Sequence, residues 1–225
     1  MKTKKWLILS VILLIIAIAF GGFFVGKSIL ALKKSNKQAI TKQKSTENIT
    51  TNAFVKNNEN KGLRVQNYFP SKTIKMYFSG GFENGGYTNI IDKIDKDKVQ
   101  LKSLNTGSGG IAIYQISEND IRLIFRREVP DQNFEENYIE TFKPNTDEII
   151  LKAPLEVGTK WTDNADGKYK ITGINVSTKT PAGTFSAIEV TFLRGDFEVK
   201  IYYAKDLGVV KTSSIGNESE LIKVE

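Results

Sequence analysis

The side chains available for chemistry in this sequence are carboxylates, hydroxyls and lysines, because it has neither cysteine nor histidine. That excludes a thiolate nucleophile, a disulfide, a haem attachment, a Ser–His pair and a zinc site of the usual kind. Two acidic groups remain to be weighed. Asp163-Asn164-Ala165-Asp166-Gly167 has the acids and the glycine of a calcium loop. Such a loop also needs a bidentate glutamate about six residues after its glycine, and Lys168–Gly173 contains no acid. The segment is expected to be a polar turn. Glu128, Asp131, Glu135, Glu136 and Glu140 cluster around Pro130. Two carboxylates about 5–10 Å apart suffice for glycoside hydrolysis. Nothing nearby marks the apolar pocket that would raise one of their pKa values, so they read as a solvated loop, a face suited to a basic partner. Gly107-Ser108-Gly109-Gly110 is followed by neither a helix nor a Lys-Ser/Thr pair, which rules out a phosphate cradle and leaves a turn. The sequence therefore predicts no catalytic residue, no metal ligand and no cofactor.

The elements that must position these residues are strands. From Tyr68 onward, short β-branched and aromatic runs alternate with turn residues. Ser71–Phe78, Tyr87–Ile94, Lys98–Leu104, Ile111–Ile116, Ile121–Arg126 and Glu148–Leu151 form a first set. Tyr169–Thr178, Thr184–Leu193, Glu198–Tyr203, Val209–Ser214 and Leu221–Val224 form a second. Alternation is imperfect in Ile121–Arg126, which predicts a strand buried on both faces. Phe134–Phe142 is the one stretch suited to a helix or loop. Sequential hairpins with short connections predict a mostly β fold, an antiparallel curved sheet or open half-barrel.

Charge is unevenly placed along the 225 residues. Residues 1–66 hold 12 Lys+Arg against 2 Asp+Glu, a balance of +10, and residues 67–225 hold 20 against 23, a balance of −3. The folded part thus lacks the clustered positive face that nucleic acid requires. Trp6–Val25 is an uncharged apolar run long enough, at 1.5 Å per residue, to cross a bilayer core of about 30 Å. Two readings compete for it: a transmembrane anchor, or a signal peptide cut after Ala17-Ile18-Ala19. The apolar continuation Phe20–Val25 favours the anchor. Lysines are more numerous after the run than before it, which by count alone would leave the remainder in the cytoplasm. The short charged start running straight into the apolar stretch is the layout of an export signal, and it favours the outside. The expected organisation is an anchor at 1–32, a flexible basic linker at 33–66 and an extracytoplasmic β-rich domain at 67–225. The lipid bilayer is then the partner of Trp6–Val25.

Three segments carry a resemblance: Pro154-Leu155-Glu156-Val157-Gly158-Thr159-Lys160-Trp161, Thr180-Pro181-Ala182-Gly183-Thr184-Phe185, and Tyr202-Tyr203-Ala204-Lys205-Asp206-Leu207-Gly208-Val209. With Tyr68-Phe69-Pro70 they resemble a group of uncharacterised bacterial cell-envelope β-domains of Gram-positive type, similar in outline to half-barrel carriers. The resemblance implies secretion or tethering and carries over no catalytic residue. In physical terms Pro181 suits the second position of a turn, Gly183 supplies a positive φ, and Gly208 lets the chain reverse after Tyr203. Trp161 and Phe185 are expected to anchor the core on the sheet's inner side. Function is then expected to be that of a plasma-membrane-tethered, single-pass binding or scaffold module of the envelope, not an enzyme. Its partner would be an envelope protein, a peptide or a lipid moiety. A hydrolase using carboxylates alone is the alternative.

Overall fold

The computed structural model describes residues 62–80, 85–106, 108–129 and 136–225. The expected anchor at Trp6–Val25, the linker up to Lys61, and Gly107, Asp131 and Glu135 lie outside the described residues. Among the described residues no helix is long and apolar enough to cross a membrane.

Twelve strands follow one another: β1 (Ile74–Phe78), β2 (Tyr87–Asp95), β3 (Lys98–Leu104), β4 (Gly109–Ile116), β5 (Asp120–Val129), β6 (Glu148–Lys152), β7 (Lys160–Thr162), β8 (Lys168–Thr180), β9 (Gly183–Arg194), β10 (Phe197–Ala204), β11 (Gly208–Ser214) and β12 (Asn217–Val224). All but β7 coincide with strands expected from the sequence. Gly109 and Gly110, expected in a turn, instead open β4 and pair with Leu104 and Ser103. The only described α-helix, α1 (Tyr138–Thr141), is a single turn.

The strands form one sheet in the order β6-β5-β4-β3-β2-β1-β12-β11-β10-β9-β8-β7. Strands consecutive in the chain pair antiparallel everywhere except between β6 and β7, and β1 pairs with β12 through Met76↔Val224. Only β6 and β7 are edges, and they too are consecutive in the chain. The result is a near-closed barrel, wound further round than the expected half-barrel. Its seam lies in the middle of the sequence instead of between the terminal strands.

Period-two alternation sends one side chain in two to the interior. Ile74, Met76 and Phe78 of β1, Tyr87, Asn89 and Ile91 of β2, and Val199, Ile201 and Tyr203 of β10 all point there. The strand buried on both faces is β4 and not β5. Gly109–Tyr114 is buried throughout, while β5 alternates over its first residues. The cause is a second, outer cluster: Ile111 and Ile113 are covered by Tyr138 and Ile139 of α1, with Phe125 and Phe142 against them. Gln100 sits fully buried beneath that cover. Its Oε1 accepts from Tyr138 N at 2.8 Å, and its Nε2 donates to Glu136 O at 3.1 Å. A buried amide tolerates that position because both its ends are paired.

The longest hairpin is β8–β9. Its register shifts on either side of Gly173, where a Cβ would meet Val176 Cγ2 at 2.5 Å. Beyond that bulge the tip reaches β12, and Ala182 N donates to Leu221 O at 3.1 Å.

Candidate functional site

The inner face of the barrel holds a pocket of about 50 Å³, room for a few waters or one small chemical group. Three parts of the chain build it. From the sheet come Met76, Asn89, Ile91, Leu101, Tyr114, Tyr169 and Tyr203. From the seam strand β6 come Glu148 and Ile150. From the ends come Phe69 and Pro70, which follow the 3-10 turn Val65–Tyr68, and Leu207–Val209 of the β10–β11 turn.

The two end pieces are fastened to one another. Asp206 N donates to Asn67 O at 2.7 Å. Gly208, with φ +75°, passes beneath Pro70 at ordinary van der Waals distance from where a Cβ would sit, so the need for glycine is conformational. Phe69 packs on Tyr114 with ring centroids 4.8 Å apart. The YFP and YYAKDLG segments, far apart in sequence, therefore meet at one wall of the pocket.

The seam forms a second wall, and side chains close it where ladder bonds are missing. Trp161 Nε1 donates to Ile149 O at 2.9 Å, and the Tyr203 hydroxyl donates to Ile150 O at 3.1 Å. Two carbonyls on the free edge of β6 are thus satisfied by aromatic donors, which also blunts an exposed strand edge. Trp161 is 6% exposed and stacks almost parallel on Tyr169, centroids 5.3 Å apart.

The polar lining divides into committed and uncommitted groups. Glu148 is committed: its Oε1 accepts from Thr146 Oγ1 at 2.7 Å and lies 3.5 Å from Arg126 Nη1. Tyr203 is committed to Ile150. Burial pushes the Tyr203 hydroxyl well above its usual range. Burial also raises Tyr114 and Tyr169, with Glu148 adding to the first and Asp163 and Glu148 to the second. All three phenols are neutral donors at ordinary pH. Asn89 is uncommitted. It is 9% exposed, and no protein group donates to its buried Oδ1. An unpaired buried acceptor of this kind costs about 1–3 kcal/mol.

The six residues singled out from the sequence are split between two places. Tyr203 and Gly208 line the pocket, and Trp161 stacks on one of its walls. Pro181, Gly183 and Phe185 lie at the β8–β9 tip and do not line it. Gly183 has φ +142° with nothing nearer than 3.9 Å to a Cβ built there, so space is not its constraint. Glu128, Glu136 and Glu140 are solvent-exposed. Asp163 serves its own turn: Oδ1 accepts from Ala165 N and Gly167 N, and Oδ2 pairs with Arg194. Asn89, Tyr114, Tyr169 and Glu148 were not anticipated. The one available signal was Asn89, a polar residue on the inward phase of Tyr87-Thr88-Asn89-Ile90-Ile91.

No protein-family model matches the chain, and no curated protein sequence does. Among solved structures it is similar to a Parabacteroides distasonis protein provisionally described as a lipoprotein, with 12% identity over 70% of this chain and 98% of that one, at a TM-score of 0.39. It is also similar to a Bacteroides fragilis protein provisionally described as exported and YmcC-like in fold, with 10% identity over the same shares and a TM-score of 0.38. Likeness at that level is distant and leaves the family open.

Proposed function

We propose that the chain is a membrane-tethered, extracytoplasmic binding module of the bacterial cell envelope whose ligand enters the inner pocket of the barrel. The observation that carries this reading is the pairing of an apolar, tyrosine-rich lining with the one uncommitted amide of Asn89. Binding sites are concave, mostly apolar and fitted with a few polar groups that fix orientation. Here the walls are Met76, Ile91 and Leu101, and the orienting groups are Asn89 and the phenols.

The alternative, hydrolysis by carboxylates alone, needs one acid held protonated and a second one free to act. Glu148 is the carboxylate in the pocket, and it is engaged by Thr146 and beside Arg126. Asp163 lies near Tyr169 and is held by Arg194. Neither arrangement favours the pair that hydrolysis requires.

Native mass spectrometry of the full chain, extracted from its membrane in mild detergent, tests the reading. A non-covalent small molecule should accompany the wild-type chain and be lost from Leu207→Trp, which places a larger ring at the half-buried rim of the pocket. The same bare mass for both proteins would contradict it.

A further inference from the structure

Resting on that reading, we infer that the pocket recognises an uncharged carboxamide group, its N–H donated to Asn89 Oδ1 and its carbonyl accepting from a lining phenol. Four observations converge on this chemistry. First, Asn89 lines the pocket, and its Oδ1 is buried with no donor in the protein, so it calls for an N–H or O–H from a ligand. Second, donors stand in the same lining: the Tyr114 and Tyr169 hydroxyls, kept protonated by burial. Tyr203 is excluded from this role because its hydroxyl already donates to Ile150 O. Third, the charge in the lining is compensated. Glu148 lies beside Arg126, so a cation gains no unpaired anion and an anion would face the carboxylate. Fourth, the space is that of a few waters, which admits one small planar group and not a ring system.

A carboxamide meets these conditions together, offering a donor and an acceptor in one uncharged plane. Apolar walls around a single hydrogen-bonding centre also give discrimination, because an isostere lacking the N–H leaves the asparagine oxygen unpaired.

The sequence supplies a reporter. It contains two methionines, Met1 and Met76, and Met76 is buried in the pocket wall with its Cα paired to that of Asn89 across β1 and β2. The full chain is labelled at the methionine methyl carbon, held in detergent micelles, and titrated with acetamide or with acetone. Acetone has the same shape and no N–H. Acetamide should shift the Met76 methyl resonance saturably, with an affinity roughly two- to tenfold above that of acetone, as one hydrogen bond provides. In Asn89→Ala, which keeps the space open, that preference should vanish while the spectrum stays folded. Equal affinities in the wild type, or a preference that survives in Asn89→Ala, would overturn the carboxamide assignment and leave the binding reading standing. A Met76 resonance that neither molecule moves would overturn the assignment and the pocket as a binding site together.

Discussion

Replacing Asn89 by leucine separates what the buried amide does for the fold from what it does for a ligand. The unpaired Oδ1 disfavours the folded state, and leucine has the same branching with methyl groups in place of the amide oxygen and nitrogen, the pocket beside it taking up their slightly greater bulk. Asn89→Leu should therefore raise the urea midpoint, by about 1 kcal/mol in stability, since an apolar group removes the desolvation penalty. Were the midpoint to fall, the Oδ1 would have a partner in the folded protein. The tyrosines make a second residue-scale prediction. Tyr87, Tyr114, Tyr169 and Tyr203 are all raised above the ordinary tyrosine value, mainly by burial. Below about pH 10 these phenols are neutral in folded and unfolded chains alike, and their contribution is complete. Above it the unfolded chain ionises first and binds fewer protons, so stability is lost as pH rises. The urea midpoint should fall from about pH 10 upward, and the phenolate absorbance of the folded chain should leave these residues unionised until unfolding. A midpoint flat across that range would show that the four hydroxyls reach solvent.

At the scale of elements, the seam and the β8–β9 tip are where framework and site can be told apart. Trp161 bridges the seam through Ile149 O and stacks on Tyr169. Trp161→Ala should cost about 3–5 kcal/mol through lost burial and the cavity left behind. Gly183→Val, at a tip that does not line the pocket, should cost at least about 1 kcal/mol from its backbone alone. Both are read as urea midpoints beside acetamide binding. A Trp161→Ala protein with an unchanged midpoint and no acetamide binding would make Trp161 a ligand contact instead of a seam bridge. The strands themselves were legible because alternation and turn residues survive in one sequence, as in Ser186–Phe192. β7 was not, since three residues, a buried tryptophan with one exposed neighbour on each side, are too few to show a period. The burial of β4 on both faces was also hidden. It depends on α1 folding back over Ile111 and Ile113, a contact between distant segments that no local pattern encodes. Of the site, Tyr203 and Gly208 were visible as motif residues, but not that they meet Phe69 and Pro70. Asn89 carried a signal in its phase, and the pocket behind it arises only when β2, β4, β8 and β10 curve round one space.

At the scale of the whole molecule, a barrel tethered outside the cytoplasm would carry its lysine-rich linker outside as well. Protease added to intact protoplasts should then cut within residues 33–61 and release a fragment carrying the barrel. Protection there would put the barrel on the cytoplasmic side, as the lysine count around Trp6–Val25 suggests by itself. A small molecule held inside the barrel would be reported by the Met76 methyl resonance of the full chain. It is recorded as purified from its membrane, then after bound small molecules are stripped in denaturant and the chain refolded, and once more after the stripped material is returned. The resonance should move on stripping and go back on return, because Met76 lies in the pocket wall. A resonance unchanged through all three states, in a chain whose other signals show it folded, would contradict it.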